Sequence, residues 1–182
     1  MNQPSPDAVV LGLLAAHACH GYQLLEYFHD PDHLGRVWVM STSQLYAVLK
    51  RLEQQGFIAG RDVASIDAPI RTEYHLTEAG RASLDLWLNE KRPSASVRRV
   101  RVEFLSRLYI ARLLNASTAP IVRHQKAACQ LQHKLLETQR DEAAPGIGWL
   151  ALEFMIAQLE AVLQWIDRCE LVPKGLKDEE RL

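Results

Sequence analysis

Cysteine is scarce in this sequence of 182 residues, and its three thiols, Cys19, Cys129 and Cys169, lie far apart. An odd number of widely spaced cysteines argues against a disulfide framework and indicates buried or idle thiols. No uninterrupted apolar run approaches the ~20 residues that are needed to cross a bilayer. The first residues, MNQPSPD, lack the basic and apolar segments of a signal peptide. We therefore expect a cytoplasmic protein without membrane contact.

A strong charge of either sign is also absent, since 21 Lys and Arg residues stand against 22 Asp and Glu residues. The charges are unevenly distributed: residues 1–90 hold six basic and eleven acidic side chains, whereas residues 91–182 hold fifteen and eleven. A nucleic-acid-binding domain usually carries a basic footprint. The acidic N-terminal half counts against that function, although it leaves room for a local basic face. Most of the basic excess is contributed by Lys91, Arg92, Arg98, Arg99, Arg101, Arg107 and Arg112.

Motifs of catalysis are missing as well, because there is no glycine-rich phosphate loop and no nucleophile elbow. The nearest approach to a metal site is the group His17, Cys19 and His20, whose imidazole and thiolate groups suit Zn²⁺. However, His17 and His20 share one helix face only if the helix continues through Cys19. We predict a protein that is not an enzyme and needs no cofactor or metal, with metal sensing as a minor alternative.

The stretch from Met40 to Gly56 predicts an amphipathic helix with a defined start and end. Ser41 and Gln44 are spaced as a capping box, and Gly56 is a typical helix terminator. One face is an apolar stripe of Leu45, Val48, Leu49 and Leu52. The opposite face is small and polar at first and basic further along, as a helix in the major groove requires. An ordinary surface helix would show a polar face too.

The other elements of residues 1–92 predict a helical domain with a β-hairpin. Ser5 is expected to cap the first helix, with Pro6 as its first residue. Further elements follow in order: a helix over residues 21–30, a short strand over 37–40, strands over 57–63 and 71–76 around a turn that includes Asp67, and a helix capped by Thr77. The stretch 92–96 is the best candidate for a boundary between two halves of the chain.

Residues 93–182 predict three helices, of which the last two are half apolar. Helices of this kind either fold back on the first domain or pair with a second copy. Their near-heptad stripes favour pairing. The predicted dimer interface consists of Leu152, Met155, Ile156, Leu159, Val162, Leu163 and Ile166.

Three local motifs resemble the PadR family of bacterial transcriptional regulators. They are His20-Gly21-Tyr22, the pair Leu45-Tyr46 with Leu49-Lys50-Arg51-Leu52-Glu53, and Leu76-Thr77-Glu78-Ala79-Gly80. The resemblance is strong from residue 8 to about residue 90, and the C-terminal half matches only in length and helical character. It implies a mainly α fold with a small β-hairpin wing. A winged helix-turn-helix domain would span residues 1–92, and a helical dimerisation and effector domain would span residues 93–182.

The resemblance further implies a homodimeric regulator, most simply a repressor, that binds double-stranded DNA at a palindromic operator. The side chains implied to face DNA are Ser41, Thr42, Ser43, Gln44, Tyr46, Ala47, Lys50, Arg51, Arg61 and Arg71. The expected wing tip, SIDAPIR, is poor in basic residues compared with the family, which predicts a shallow salt dependence of binding. The rival hypothesis is a winged helix that docks another protein through its acidic surface.

A small-molecule effector is also expected, and an aromatic compound is one candidate. Four tryptophans could line a pocket for a flat ligand together with Tyr109 and Phe154. Tryptophans more often fill cores and interfaces, so this pocket remains the less favoured interpretation for any one of them. The four are Trp38, Trp87, Trp149 and Trp165.

Overall fold

The fold is taken from a computed structural model that describes residues 4–65 and 68–171. It is mainly helical with one small antiparallel sheet, which confirms the predicted fold class. The helices are α1 (Asp7–Ala16), α2 (Gly21–His29), α3 (Thr42–Gln54), α4 (Glu78–Leu88), α5 (Val97–Arg99), α6 (Leu105–Leu113), α7 (Ala119–Glu142) and α8 (Ile147–Leu171), with a π-helical turn (Val100–Phe104) between α5 and α6. The strands are β1 (Cys19–His20), β2 (Ile58–Ser65) and β3 (Ala68–Leu76).

The chain divides into two compact units. The first unit comprises Met1–Lys91 with Arg98–Ile121, and the second comprises Arg92–Val97 with Val122–Leu182. The predicted ranges 1–92 and 93–182 differ from this division, because α6 packs into the first core. Ile110 of α6 is fully buried there, and its side chain approaches α1 so closely that only a glycine fits at Gly12.

The core of the first unit is built from α1, α2, α3, α4 and α6. Six consecutive residues of α1, from Val9 to Leu14, are buried, as expected for a helix that is apolar on all sides. The predicted cap of this helix is wrong by one residue. Pro6 occupies the N-cap position, and the Ser5 hydroxyl binds the carboxylate of Asp7 instead.

The sheet has the strand order β1-β3-β2, and its third strand is not the predicted one. Residues 37–40 form turns and irregular chain, since the amides of Val37 and Trp38 both donate to the carbonyl of Leu34. Amides committed to a turn cannot join a strand ladder. The third strand is instead the two-residue β1, which pairs Cys19 with Tyr74 of β3. High β propensity was therefore overridden by local turn geometry.

The two strands of the hairpin are longer than the sequence predicted. Strand β2 extends to Ser65 and β3 begins at Ala68, with a bulge between Val63 and Ser65. The predicted turn residue Asp67 lies outside the described residues. This hairpin follows α3 directly in the sequence, and its first strand also contacts α3 in space.

Helices α7 and α8 of the second unit form an antiparallel hairpin that is linked by ion pairs. Each step of seven residues along α7 is matched by seven residues backwards along α8. The pairs are Lys126 with Asp167 (2.5 Å), His133 with Glu160 (3.4 Å) and Arg140 with Glu153 (3.1 Å). By length and composition alone, Ile147–Cys169 would suffice to span a membrane, but its acidic residues are partnered by α7.

Part of the predicted dimer stripe on α8 is enclosed by its own chain. Ile156, Leu159 and Ile166 are at most 5% exposed within the single chain. Met155 remains 46% exposed, and Leu152, Val162 and Leu163 are half-buried. A seven-residue repeat indicates that a helix has a partner helix. Here the buried residues show that the repeat serves the chain's own core.

Candidate nucleic-acid interface

Hydrogen bonds between Ser41 and Gln44 fix the start of helix α3. The Gln44 amide donates to the Ser41 hydroxyl at 3.3 Å, and the Ser41 amide donates to the Gln44 side chain at 2.9 Å. This confirms the predicted capping box. The chain that leads into the helix is also held, because Nε2 of His29 donates to the carbonyl of Met40 at 2.9 Å.

The outward face of α3 is solvent-exposed along its whole length. The predicted DNA-facing side chains of this helix are all exposed: Ser41, Thr42, Ser43, Gln44, Tyr46, Ala47, Lys50 and Arg51. The apolar stripe is buried as predicted, at Leu45, Val48, Leu49 and Leu52. The helix therefore presents small polar groups at its start and cations further along, over a rigid base.

The cations of this surface differ in whether a carboxylate of the protein neutralises their charge. Arg51 is bound by Asp7, with Nε 3.0 Å from the carboxylate, and this hydrogen bond raises the pKa of Arg51 above its usual value. Lys50 is exposed, and the described part of the chain gives it no ion-pair partner. Part of the positive charge that the sequence assigned to α3 is thus neutralised within the protein.

The wing contributes the two remaining predicted cations. The guanidinium of Arg61 is 3.9 Å from the carboxylate of Glu73. Arg71 lies over the ring of Tyr22 at 5.4 Å, which is a cation–π arrangement. Its charge therefore remains available to a ligand, whereas that of Arg61 is partly balanced.

A hollow of about 480 Å³ lies where α2, α3 and the wing meet, lined by Tyr22, Tyr46, Arg71, Thr72 and Tyr74. Tyrosine hydroxyls and an arginine can all bind phosphate oxygens. Tyr22 and Tyr74 were not among the predicted site residues, although Tyr22 belongs to the His-Gly-Tyr motif.

The glycine of that motif allows the Tyr46 side chain its present position. A Cβ atom at Gly21 would lie 2.8 Å from the hydroxyl of Tyr46. In the same hollow, burial is the largest cause that raises the pKa of Tyr74, so this phenol stays protonated and able to donate.

The minor alternative of a metal site at His17, Cys19 and His20 is not supported, because these side chains bind different partners. His17 faces the Tyr27 hydroxyl at 3.3 Å, and Nδ1 of His20 donates to the Thr72 carbonyl at 3.0 Å. Cys19 is buried, which raises its pKa to about 11. Across residues 4–65 and 68–171, no three His, Cys, Asp or Glu side chains are grouped to hold a metal ion.

The tryptophans serve separate packing roles. The indole of Trp38 donates to the Ser106 hydroxyl at 2.9 Å, and Trp87 lies 5.4 Å below the guanidinium of Arg107. Trp149 and Trp165 belong to the second unit. Both of the other candidate pocket residues have different surroundings, since Tyr109 binds His33 and Phe154 is 64% exposed.

A comparison with known families identifies the part of the chain that carries this surface. Residues 10–86 match the model described as the transcriptional regulator PadR-like family. Over these residues the chain is similar to the PadR-like family. The match begins in α1 and ends in α4, so the PadR-like part includes α3 and the whole sheet. The resemblance inferred from the three motifs is confirmed.

A curated relative is the negative transcriptional regulator PadR of Bacillus subtilis (strain 168), which is 32% identical over 110 residues. The match covers 60% of this chain and spans 58% of the length of that relative.

Solved structures of PadR proteins match over most of the chain at low similarity. Bacillus subtilis PadR in complex with operator DNA aligns at 24% identity and a TM-score of 0.46, covering 90% of this chain and 96% of that chain. The same protein in complex with p-coumaric acid aligns at 23% identity and a TM-score of 0.42, covering 90% and 95%. The PadR-like regulator BC1756 of Bacillus cereus aligns at 21% identity and a TM-score of 0.44, covering 92% and 95%.

Proposed function

We propose that this protein is a cytoplasmic, DNA-binding transcriptional regulator without catalytic activity, and that α3 is its recognition helix. The observation that carries the proposal is the exposed face of α3, which lies within the PadR-like residues and on a capped, well-packed helix. Its short polar side chains would allow close approach to base edges. Lys50 and Arg71 would bind backbone phosphates and so position the helix.

The protein would act as a homodimeric repressor at a palindromic operator. The Bacillus subtilis relative is a negative transcriptional regulator, which supports this sign of regulation. For the dimer, we replace the stripe on α8 by the apolar side chains that the second unit leaves exposed: Leu131, Leu135, Ile147, Leu150, Phe154 and Met155. Exposed apolar side chains of this size often take part in protein contacts, and a twofold dimer would place two α3 helices on two half-sites.

Binding of a small aromatic molecule would relieve repression. Bacillus subtilis PadR has been crystallised with p-coumaric acid, which supports an effector of this chemical class. The effector would act by binding better to one spacing of the two recognition helices than to another, because a ligand shifts an equilibrium only by its differential affinity.

The test is a fluorescence-anisotropy titration of the full-length protein on the duplex upstream of its own coding sequence, at several salt concentrations. We expect Lys50→Ala with Arg71→Ala to weaken binding by about tenfold or more, since each phosphate contact contributes to affinity and to the salt slope. Arg81→Ala, which removes an exposed charge of α4, is the matched control and should leave binding unchanged.

Two results would overturn the proposal. One is the absence of binding by the wild-type protein at micromolar concentration, which would favour the rival protein-docking function. The observation that favours this alternative function is the partial neutralisation of Arg51 and Arg61 by carboxylates. The other is a double variant that binds as tightly as wild type, which would place the DNA on another face.

A further inference from the structure

A second concave surface borders α3 on the flank away from Tyr46. This cleft of about 540 Å³ is formed by three segments of the first unit: the chain around Arg36 to Met40, the middle of α3, and the stretch from Arg98 to Val102. Gln44, Ala47 and Arg51 line the cleft and also belong to the outward face of α3. The cleft is therefore continuous with the proposed reading surface.

The walls of the cleft are strongly basic. Four arginines line it, and no Asp or Glu does: Arg36, Arg51, Arg98 and Arg101. Arg51 is balanced by Asp7, and Arg36 donates through Nε to the carbonyl of Pro31 at 3.3 Å, so Arg36 keeps its net charge. Arg98 and Arg101 are exposed, and within the described residues neither has an ion-pair partner.

The segment that contains these two arginines changes the net charge of the compact unit that carries α3. Residues 1–91 contain seven basic and eleven acidic side chains, whereas residues 98–121 contain five and one. Because both segments form one compact unit, the unit has no net charge. The acidic character of the N-terminal half, which counted against DNA binding, is thus compensated within the unit, and two of the five compensating arginines, Arg98 and Arg101, line the cleft beside the recognition helix.

The cleft is also preformed, because its walls are joined by hydrogen bonds. The indole of Trp38 donates to the buried hydroxyl of Ser106 at 2.9 Å, and that hydroxyl donates to the carbonyl of Val102 at 2.7 Å. This link ties the segment before α3 to the turn that carries Arg101. Arginines held on a rigid support lose less conformational freedom on binding.

We propose that Arg98 and Arg101 bind backbone phosphates of the duplex whose major groove receives α3. This inference rests on the proposed function. A helix seated in a groove about 12 Å wide has a phosphate backbone along each flank. The tyrosine-lined hollow and Arg71 would bind one backbone, and the arginine cleft would bind the other. Contacts of this kind position a protein without reading sequence.

The experiment compares Arg98→Ala with Arg101→Ala, as a double variant of the full chain, against wild type on the upstream duplex and on an unrelated duplex of equal length. We expect affinity to fall about tenfold on both duplexes. We also expect the slope of log K against log salt to become shallower by about 0.9 for each phosphate that is no longer neutralised. Arg81→Ala with Arg123→Ala removes the same charge at exposed positions outside the cleft and should leave the slope unchanged.

The inference is overturned if the double variant keeps the wild-type salt slope, or if it weakens binding only to the upstream duplex. Lys50→Ala separates this failure from failure of the proposed function. If Lys50→Ala weakens binding and the arginine variant does not, α3 reads DNA and the cleft takes no part. If wild type binds neither duplex, both proposals fall.

Discussion

Gly80 offers the sharpest test of the packing that supports α3 and the wing. A Cβ atom at this position would lie 2.0 Å from the carbonyl oxygen of Phe57, where ordinary contacts begin at 3.4 Å. The obstacle is backbone, so it cannot rotate away. The start of α4 is also bound to Phe57, since the Thr77 amide donates to the Phe57 carbonyl at 3.1 Å. Within this start, the Thr77 hydroxyl accepts from the Gly80 amide at 3.1 Å.

We predict that Gly80→Ala destabilises the protein by about 2–4 kcal/mol. Overpacking costs about 1–3 kcal/mol, and displacing α4 by more than ~1 Å would break hydrogen bonds of Thr77 worth roughly 1 kcal/mol each. The gain of about 1 kcal/mol from placing alanine in a helix offsets part of this cost. For a unit of this size, the melting temperature should fall by roughly 10 °C or more.

The measurement is urea and thermal unfolding followed by circular dichroism. The matched control is Gly148→Ala in α8, where a Cβ atom would meet nothing within 4 Å. This variant should be as stable as wild type or more stable by up to ~1 kcal/mol. Wild-type stability of Gly80→Ala would refute the reasoning. Equal destabilisation by both substitutions would refute it too, because a general effect of replacing glycine would then explain the result.

The remaining predictions concern charge, assembly and thiol reactivity. Asp7→Asn should free Arg51 to bind phosphate. DNA affinity should then rise several-fold, and the slope of log K against log salt should steepen by about 0.9 per contact. An unchanged slope would show that Arg51 does not contact DNA. Phe154→Asp should convert the dimer to folded monomer in sedimentation velocity, and a surviving dimer would place the interface elsewhere. At pH 8, Cys19 should react with iodoacetamide about 100-fold more slowly than an ordinary thiol, because its pKa is raised to about 11; mass spectrometry of the native protein measures this, and labelling at the rate of the urea-unfolded chain would contradict it.

The features that the sequence predicted correctly depend on residues close together in the chain. Ser41 and Gln44 are three positions apart, so the capping box could be recognised without any knowledge of tertiary structure. The hairpin after α3 was predicted on the same basis, although its strands are longer than predicted. Gly56, predicted as a helix terminator, adopts a positive φ of 72° just after α3.

The errors arose where a local pattern has more than one long-range solution. The stripe at Ile156 and Leu159 correctly indicated a buried helix face, but a heptad repeat does not say whether its partner is a second copy or the same chain. Likewise, the β propensity of Val37 to Met40 could not reveal that the amides of Val37 and Trp38 turn back to Leu34.

Candidate site residues were missed for the same reason. Arg98 and Arg101 did not count in favour of DNA binding, because a boundary at residues 92–96 assigns them to the other half of the chain. Their position beside α3 follows from the packing of α6 against α1, and no short sequence window contains that packing. Tyr74 enters the tyrosine-lined hollow only through the pairing of β3 with its neighbours.

The antiparallel pairing of α7 with α8 leaves its alignment electrostatically ambiguous. If α8 slid by seven residues away from the end of α7, His133 would face Asp167 and Arg140 would face Glu160, so opposite charges would still meet. What excludes the slipped alignment is the connection of residues 143–146, which is too short to supply seven more residues without melting a helix end. The length of the connection therefore determines how the two helices are aligned. An insertion of one heptad at Gly146 would give this hairpin two alignments of similar charge complementarity.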